Sequence, residues 1–281
     1  MIGTQLTYEA PDTLKGVLDL IGRQGYQVLT ADQSLVSTMK KGVASPQALV
    51  SLRKVPGLAT IGNESGELHI GTSTSYASLL NHEAIGQYPI LAQALATIQD
   101  QHLRHNCTLG GALHYGGHAH AAILAALMAL DARAVVLSRE DDTRLPIQSF
   151  SQYGKRVPLP AGKLVTAVVV PAAQQTTGCY LEIEQLSGRQ PAHGIAVTLR
   201  SSERGVEEAR IILAGFTEQP VQLQPIETSL NGRPLNLARI DEAVEMIDET
   251  TLPVTVGNAA KGYYYQLAKV LIRRSLTQLA S

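Results

Sequence analysis

The chain has 281 residues, with 23 lysines and arginines against 24 acidic residues, and a formal net charge of −1. That balance, with no dense run of Lys and Arg, excludes a nucleic-acid reader built on a basic stripe. Two cysteines, Cys107 and Cys179, exclude a disulfide framework and any cysteine-built iron–sulfur or zinc site within the chain.

The opening segment, MIGTQLTYEAPD, has no basic region leading into an apolar core, so no secretory leader is expected and a cytoplasmic setting follows. Pro11 stands before a helix over residues 12–22, with Leu14, Val17, Leu18 and Ile21 on one face. Gly25 ends it, and residues 26–30 follow as a short strand. Asp32 then opens a second helix, residues 33–41, with lysines in its last turn. Residues 48–71 read as short strands broken at Pro56-Gly57 and at 63–66. Helical periodicity returns at 76–80, at 91–98 and strongly at 121–132. The apolar run at 121–130 is too short to span a bilayer and reads as a buried helix.

Asp141-Asp142 reads as a solvated turn between strands. Residues 164–170, 179–183, 194–199 and 209–215 alternate or run apolar like strands of a half-covered sheet. Helices follow at 240–247 and from about 259 to 279. Arg273 and Arg274 are placed in the cationic last turn of that final helix, and Tyr263, Tyr264 and Tyr265 spread around it with one or two rings in the core. Proline and the polar stretch AAQQTTG put a boundary near residues 171–178. The pattern predicts an α+β chain: a mixed α/β part up to about residue 172, then a sheet-plus-helices part over 178–281.

The regular nucleotide, zinc-protease and nucleophile-elbow patterns are absent. The segment NCTLGGALHYGGHAH, residues 106–120, holds four glycines in eight residues. Glycines allow positive φ and close approach of a ligand to the backbone, and a helix starting after them adds amide donors and a positive dipole end. By itself such a glycine pair is more often a plain turn, here before a buried helix. A third reading is a metal site: five histidines, His102, His105, His114, His118 and His120, fall within nineteen residues, and His118-x-His120 can project to one side. No carboxylate is interleaved among them, and His102 and His105 look like one helical or turn face. On the residues alone, cradle, turn and the metal alternative of His114, His118 and His120 all stand.

Longer stretches carry a resemblance. SLRKVPGLATI, GELHIGTSTSYASLL, YPILAQALATIQDQHLRHNCTLGGAL, LMALDARAVVLS, LVTAVVVP and QLAKVLIRRSL follow one another across nearly the whole chain. In that order and at about that spacing, they make the chain similar to the flavoprotein (medium) subunit of molybdenum hydroxylases, the group containing carbon monoxide dehydrogenase and xanthine dehydrogenase. The resemblance implies a PCMH-like, two-part FAD-binding domain over 1–172, with subdomains of about 1–55 and 56–172, a C-terminal domain of sheet plus helices over 178–281, and FAD between the parts. It implies cofactor contacts from Gln33, Ser34 and Leu35 in a first turn. Thr108, Leu109, Gly110 and Gly111 would form a second turn, with the two glycines giving backbone donors to the pyrophosphate, and Tyr180 would contribute from the C-terminal domain. It also implies iron–sulfur and molybdenum-cofactor subunits as partners and electron transfer as the role. A homodimer is a further expectation, with no nucleic acid and no membrane.

Five positions depart from the family pattern. Ala31 and Asp32 stand where the first turn usually has two glycines, Ala112 where a side-chain donor is usual, and Ala122 near the place of an acidic residue. Glu182 replaces the basic member of a Tyr-x-Lys pair. Asp32 as a helix N-cap contributes about 0.5–2 kcal/mol. The same carboxylate, about 4 Å from a phosphate charge, would repel it by roughly 4 kcal/mol at an effective dielectric of 20. Two readings follow: an FAD-binding electron-transfer subunit, or an FAD-free homologue that serves as a structural subunit or binds a different ligand in the old cleft.

Overall fold

Three sheets of three or more strands follow one another along the described residues, which are 6–30, 33–117, 120–172, 176–183, 192–256 and 259–280 of a computed structural model. The first is small and parallel. Strands β1 (Thr7–Glu9), β2 (Tyr26–Leu29) and β3 (Ala48–Ser51) lie in the order β1-β3-β2, joined through helices α1 (Leu14–Ile21) and α2 (Gln33–Lys40). All four residues of the central strand β3 are buried, as parallel pairing on both edges requires. Thr13 caps α1 by accepting from the Gly16 N–H at 3.1 Å, and Val17, Leu18 and Ile21 pack on Val28 and Val50.

The second sheet is antiparallel with five strands. It contains β4 (Ile61–Glu64), β5 (Glu67–Gly71), β6 (Arg133–Leu137), β7 (Asp142–Pro146) and β10 (Leu164–Val170), in the order β4-β5-β10-β6-β7. Between β5 and β6 run α3 (Tyr76–Leu80), α4 (Pro89–Ala96), α5 (Gln101–Asn106), α6 (Leu109–Tyr115) and α7 (Ala121–Ala129). Every residue of α7 is buried, so its alanines and leucines are apolar all round because the helix has no solvent side. A small hairpin, β8 (Ser151–Gln152) and β9 (Lys155–Arg156), turns through Tyr153 and Gly154 at φ 51° and 73°. Two left-handed residues are what a two-residue hairpin turn of matching twist needs.

The third sheet is an antiparallel meander of β11 (Thr176–Ile183), β12 (His193–Ser202), β13 (Gly205–Ala214) and β14 (Val221–Gln222). Helices α8 (Gln224–Leu230), α9 (Leu237–Glu245) and α10 (Lys261–Ala280) share a core with it, where Ile195, Val197 and Leu213 meet Tyr264, Ala268 and Leu271. The alternate residues Tyr180, Ala196 and Ile212 pack instead into the core of α4 and α7. This explains why residues 194–199 run continuously apolar rather than alternating: β12 is covered on both faces.

The fold is thus α+β, as expected. One placement is corrected. Helix α10 continues to Ala280, so Arg273 and Arg274 lie short of its last turn, and Arg273 pairs with Asp241 of α9 at 3.0 Å. Tyr264 is in the core and Tyr263 is half exposed. Among the described residues no helix is long and apolar enough to cross a membrane.

Candidate functional site

Three segments meet where the parallel sheet ends. β2 runs out at Leu29, and the buried Thr30 follows it; crevices beyond the carboxyl ends of parallel strands are the usual ligand positions in such sheets. Beside it lie residues 72–75, which leave β5, and residues 107–111, which enter α6. Thr108 Oγ1 donates to Thr30 Oγ1 at 3.1 Å, the Gly110 N–H donates to the Thr72 carbonyl at 2.8 Å, and the Tyr76 N–H donates to the Cys107 carbonyl at 3.1 Å. Because α2 packs on α6 and Thr30 touches Thr108, the N-terminal ends of these two helices are neighbours. Ala31 and Asp32 lie outside the described residues, and Gln33 and Ser34 are described only as the first residues of α2.

Gly110 and Gly111 are not a turn ahead of α7. They form the first turn of a separate helix, α6, whose N-cap is Thr108; its hydroxyl accepts from the Gly111 N–H at 3.1 Å. Gly110 is needed for space. A Cβ there would lie 2.0 Å from Thr72 Oγ1 and 2.9 Å from the Thr72 carbonyl oxygen. The left-handed glycines are instead Gly116 and Gly117, at φ 62° and 104°, where the chain leaves α6. Both glycine amides expected as donors are engaged within the chain, one by the Thr72 carbonyl and one by the Thr108 hydroxyl.

The available donors are hydroxyls. Thr72 Oγ1, Ser73 Oγ and Thr74 Oγ1 are buried and have no hydrogen-bond partner. A buried polar group left so costs about 1–3 kcal/mol, and three in succession at one loop call for an acceptor. An oxygen-rich anion such as a diphosphate supplies acceptors, and adjacent helix N-termini favour its charge. The residues present therefore fit such a group, through hydroxyls rather than glycine amides. In the sequence this GTST loop, residues 71–74, stands out only as part of a longer stretch, although a run of hydroxyls directly after a strand is its signal. Leu35 and Leu109 are fully buried anchors of α2 and α6.

The remaining expected residues lie apart. The Tyr180 N–H donates to Gln93 Oε1 and its hydroxyl to Glu182 Oε2, each at 2.7 Å. Burial, then the Glu182 charge, pushes the Tyr180 phenol well above 10. Ala112 and Ala122 are buried, and each offers only a methyl group. Val165 donates its N–H to His114 Nε2 at 3.4 Å; burial and the nearby Arg156 charge lower the His114 pKa from 6.5 to about 4. His120 Nδ1 lies 2.7 Å from the Tyr76 hydroxyl. His114 and His120 thus serve different partners, and His118 lies outside the described residues. Among the described residues no three His, Cys, Asp or Glu side chains come together as a metal site. His102 and His105 share α5 and face solvent.

A cavity of about 530 Å³ lies elsewhere, between the start of α4, the end of α7 and the third sheet. Its charged lining is already paired: Arg210 with Asp131 at 3.1 Å and with Glu208 at 2.9 Å, and Arg200 with Glu208 at 3.1 Å. It is a charge-balanced joint between α7 and the sheet, and it shares no lining residue with the glycine junction.

Residues 4–173 match the family described as the FAD binding domain in molybdopterin dehydrogenase, and residues 180–279 match the CO dehydrogenase flavoprotein C-terminal domain. The chain is 28% identical over 280 residues to the 6-hydroxypseudooxynicotine dehydrogenase complex subunit alpha of Paenarthrobacter nicotinovorans, covering 96% of this chain and 93% of that one. It is 24% identical over 282 residues to the carbon monoxide dehydrogenase medium chain of Hydrogenophaga pseudoflava, covering 98% and 97%. A solved chain from reconstituted CO dehydrogenase of Oligotropha carboxidovorans has the same fold, with a TM-score of 0.88 at 24% identity, covering 99% and 98%. These relatives are named as subunits or medium chains of larger assemblies. Nothing in these matches supports the FAD-free scaffold.

Proposed function

Because this chain belongs to the FAD-binding family of molybdopterin dehydrogenases, we propose that it is the FAD-bearing, electron-transfer subunit of a molybdenum-hydroxylase-type oxidoreductase. Two successive family matches, which together span nearly the whole chain, carry this reading. The unpartnered hydroxyls of Thr72, Ser73 and Thr74 support it locally. In this reading Thr108 and Gly110 lock α6 against the loop after β5. The neighbouring N-terminal ends of α2 and α6 then offset the diphosphate charge, with Gln33, Ser34 and Leu35 on one side and Thr108, Leu109, Gly110 and Gly111 on the other. Tyr180 stays in the set through its place on β11, with its phenol keeping its proton and donating to Glu182. FAD, when bound, supplies the capacity to take up and release electrons that no side chain here has.

The proposed organisation keeps residues 1–172 as the FAD-binding unit and 178–281 as the C-terminal unit. Partner subunits carry iron–sulfur clusters and the molybdenum cofactor, and substrate oxidation takes place there. The test is to incubate the purified chain with excess FAD, remove free ligand by gel filtration and record the visible spectrum. Retained absorption near ~450 nm, the region of flavin chemistry, at one flavin per chain is expected. A colourless chain overturns the reading.

A further inference from the structure

The short hairpin of β8 and β9 presents a side chain that its own fold does not use. Tyr153 stands at the first turn position with φ 51° and is 80% exposed. Asparagine or glycine takes that left-handed conformation at little cost, whereas a bulky L-residue is strained there. A large ring kept under strain and left in solvent stabilises nothing within the chain. It points outward, to a contact with another molecule.

The turn is held firmly for such a contact. On one side, the Gln219 N–H donates to the Gly154 carbonyl at 2.7 Å, Ser151 Oγ donates to the Pro220 carbonyl at 2.8 Å, and a Cβ on Gly154 would lie 2.5 Å from Thr217 Cβ. These contacts fix the hairpin to the turn between β13 and β14 of the third sheet. On the other side, Arg156 donates to the His114 carbonyl near the end of α6, and Phe150, just before the hairpin, is buried in the core of α4 and α7. The hairpin thus straddles the seam between the part that carries the hydroxyl junction and the C-terminal sheet. An aromatic anchor on so fixed a turn gives up little conformational freedom on docking.

The surroundings state the partner's chemistry. Val157 is 36% exposed and Pro158 is exposed as well. Residues 151–160 hold two cations, Lys155 and Arg156, and no acid. Lys155 is exposed and makes no ion pair among the described residues, and the adjoining turn adds one exposed acid, Glu218. A face of this kind, apolar with an excess of positive charge, complements a protein face that offers a pocket for the ring and a rim of carboxylates.

Resting on the reading of this chain as the FAD-bearing subunit of a larger oxidoreductase, we propose that the β8–β9 hairpin is a docking point for the iron–sulfur subunit. Tyr153 is the anchor, seated in an acid-rimmed pocket of that partner, and Lys155 steers the approach. The seam favours this partner over the others. Electrons reach the flavin from the iron–sulfur clusters, so the subunit that carries them has to lie against the parts between which FAD is held.

The test compares wild type, Tyr153→Asn and Lys155→Glu, each as the full chain alone and co-expressed with the iron–sulfur and molybdenum-cofactor subunits. Asparagine suits the left-handed turn, so Tyr153→Asn alone should melt no lower than wild type. Its dissociation constant for the iron–sulfur subunit should nevertheless rise about tenfold or more. Lys155→Glu should weaken that association several-fold at low salt and flatten its salt dependence. FAD affinity of the chain alone should stay within about twofold in both variants. Unchanged association in Tyr153→Asn overturns the inference, as does a weakening confined to the molybdenum-cofactor subunit or to self-association of the chain. A parallel loss of FAD affinity and melting temperature would make the hairpin merely structural and overturn it too, as would a wild-type chain that binds no iron–sulfur subunit. A wild-type chain that binds the iron–sulfur subunit but no FAD would overturn the FAD reading and leave the docking face standing.

Discussion

A methyl group added at Gly110 would have to displace Thr72, because its Cβ meets both the hydroxyl and the carbonyl of that residue. Overpacking of this kind costs about 1–3 kcal/mol, so Gly110→Ala should lower the thermal midpoint and weaken FAD binding together; calorimetry and a flavin titration on one sample check this. Asp32 makes the opposite prediction. Removing its carboxylate from the first turn, as Asp32→Gly, should tighten FAD by about fivefold to a thousandfold, since the repulsion it relieves is of the order of 1–4 kcal/mol. Unchanged affinity would mean that the carboxylate stands clear of the phosphates. His114 links residue chemistry to pH. Its folded pKa of about 4 lies below the unfolded 6.5, so its contribution to stability is complete above about 6.5 and is lost as pH falls toward 4. Replacing it with Gln, which can still accept from Val165, should flatten the pH dependence of stability across that window, an effect of the order of 1–3 kcal/mol that melts at several pH values measure.

Elements show where periodicity speaks clearly and where it does not. The strand at 164–170 was legible because its apolar run is short, β-branched and bounded by turn residues, and the final helix was legible from its length. α6 was not legible. Two glycines in its first turn read as a turn, and only tertiary crowding by Thr72 explains them. The GTST loop was quoted within a longer resemblance, but nothing in the sequence says that its hydroxyls are buried without partners. Glu227 on α8 tests the third sheet. Burial raises its pKa above 4.5 while it accepts from the Ile211 N–H at 2.7 Å and Gln222 Nε2 at 2.9 Å. A raised folded pKa means that its contribution is present below about 4.5 and is lost as pH rises through the raised value. Glu227→Gln should therefore remove that decline, and pH-dependent melts measure it.

At the scale of the molecule, the parallel sheet, the five-stranded sheet and the meander meet through buried side chains rather than through long linkers, so a ligand set between them reports on the whole assembly. Tyr180, Ala196 and Ile212 reach into the core of α4 and α7, and Arg210 ties β13 to Asp131 at the end of α7. A ligand held where the first two sheets meet should raise the thermal midpoint of the entire chain in one transition, by mass action on the folded state. The most direct measurement is calorimetric titration of FAD into the purified full-length chain, repeated in the presence of saturating ADP. The account predicts binding of one FAD per chain that ADP suppresses, because both need the hydroxyl junction of Thr72, Ser73, Thr74 and Thr108. No binding, or FAD binding indifferent to ADP, would contradict it.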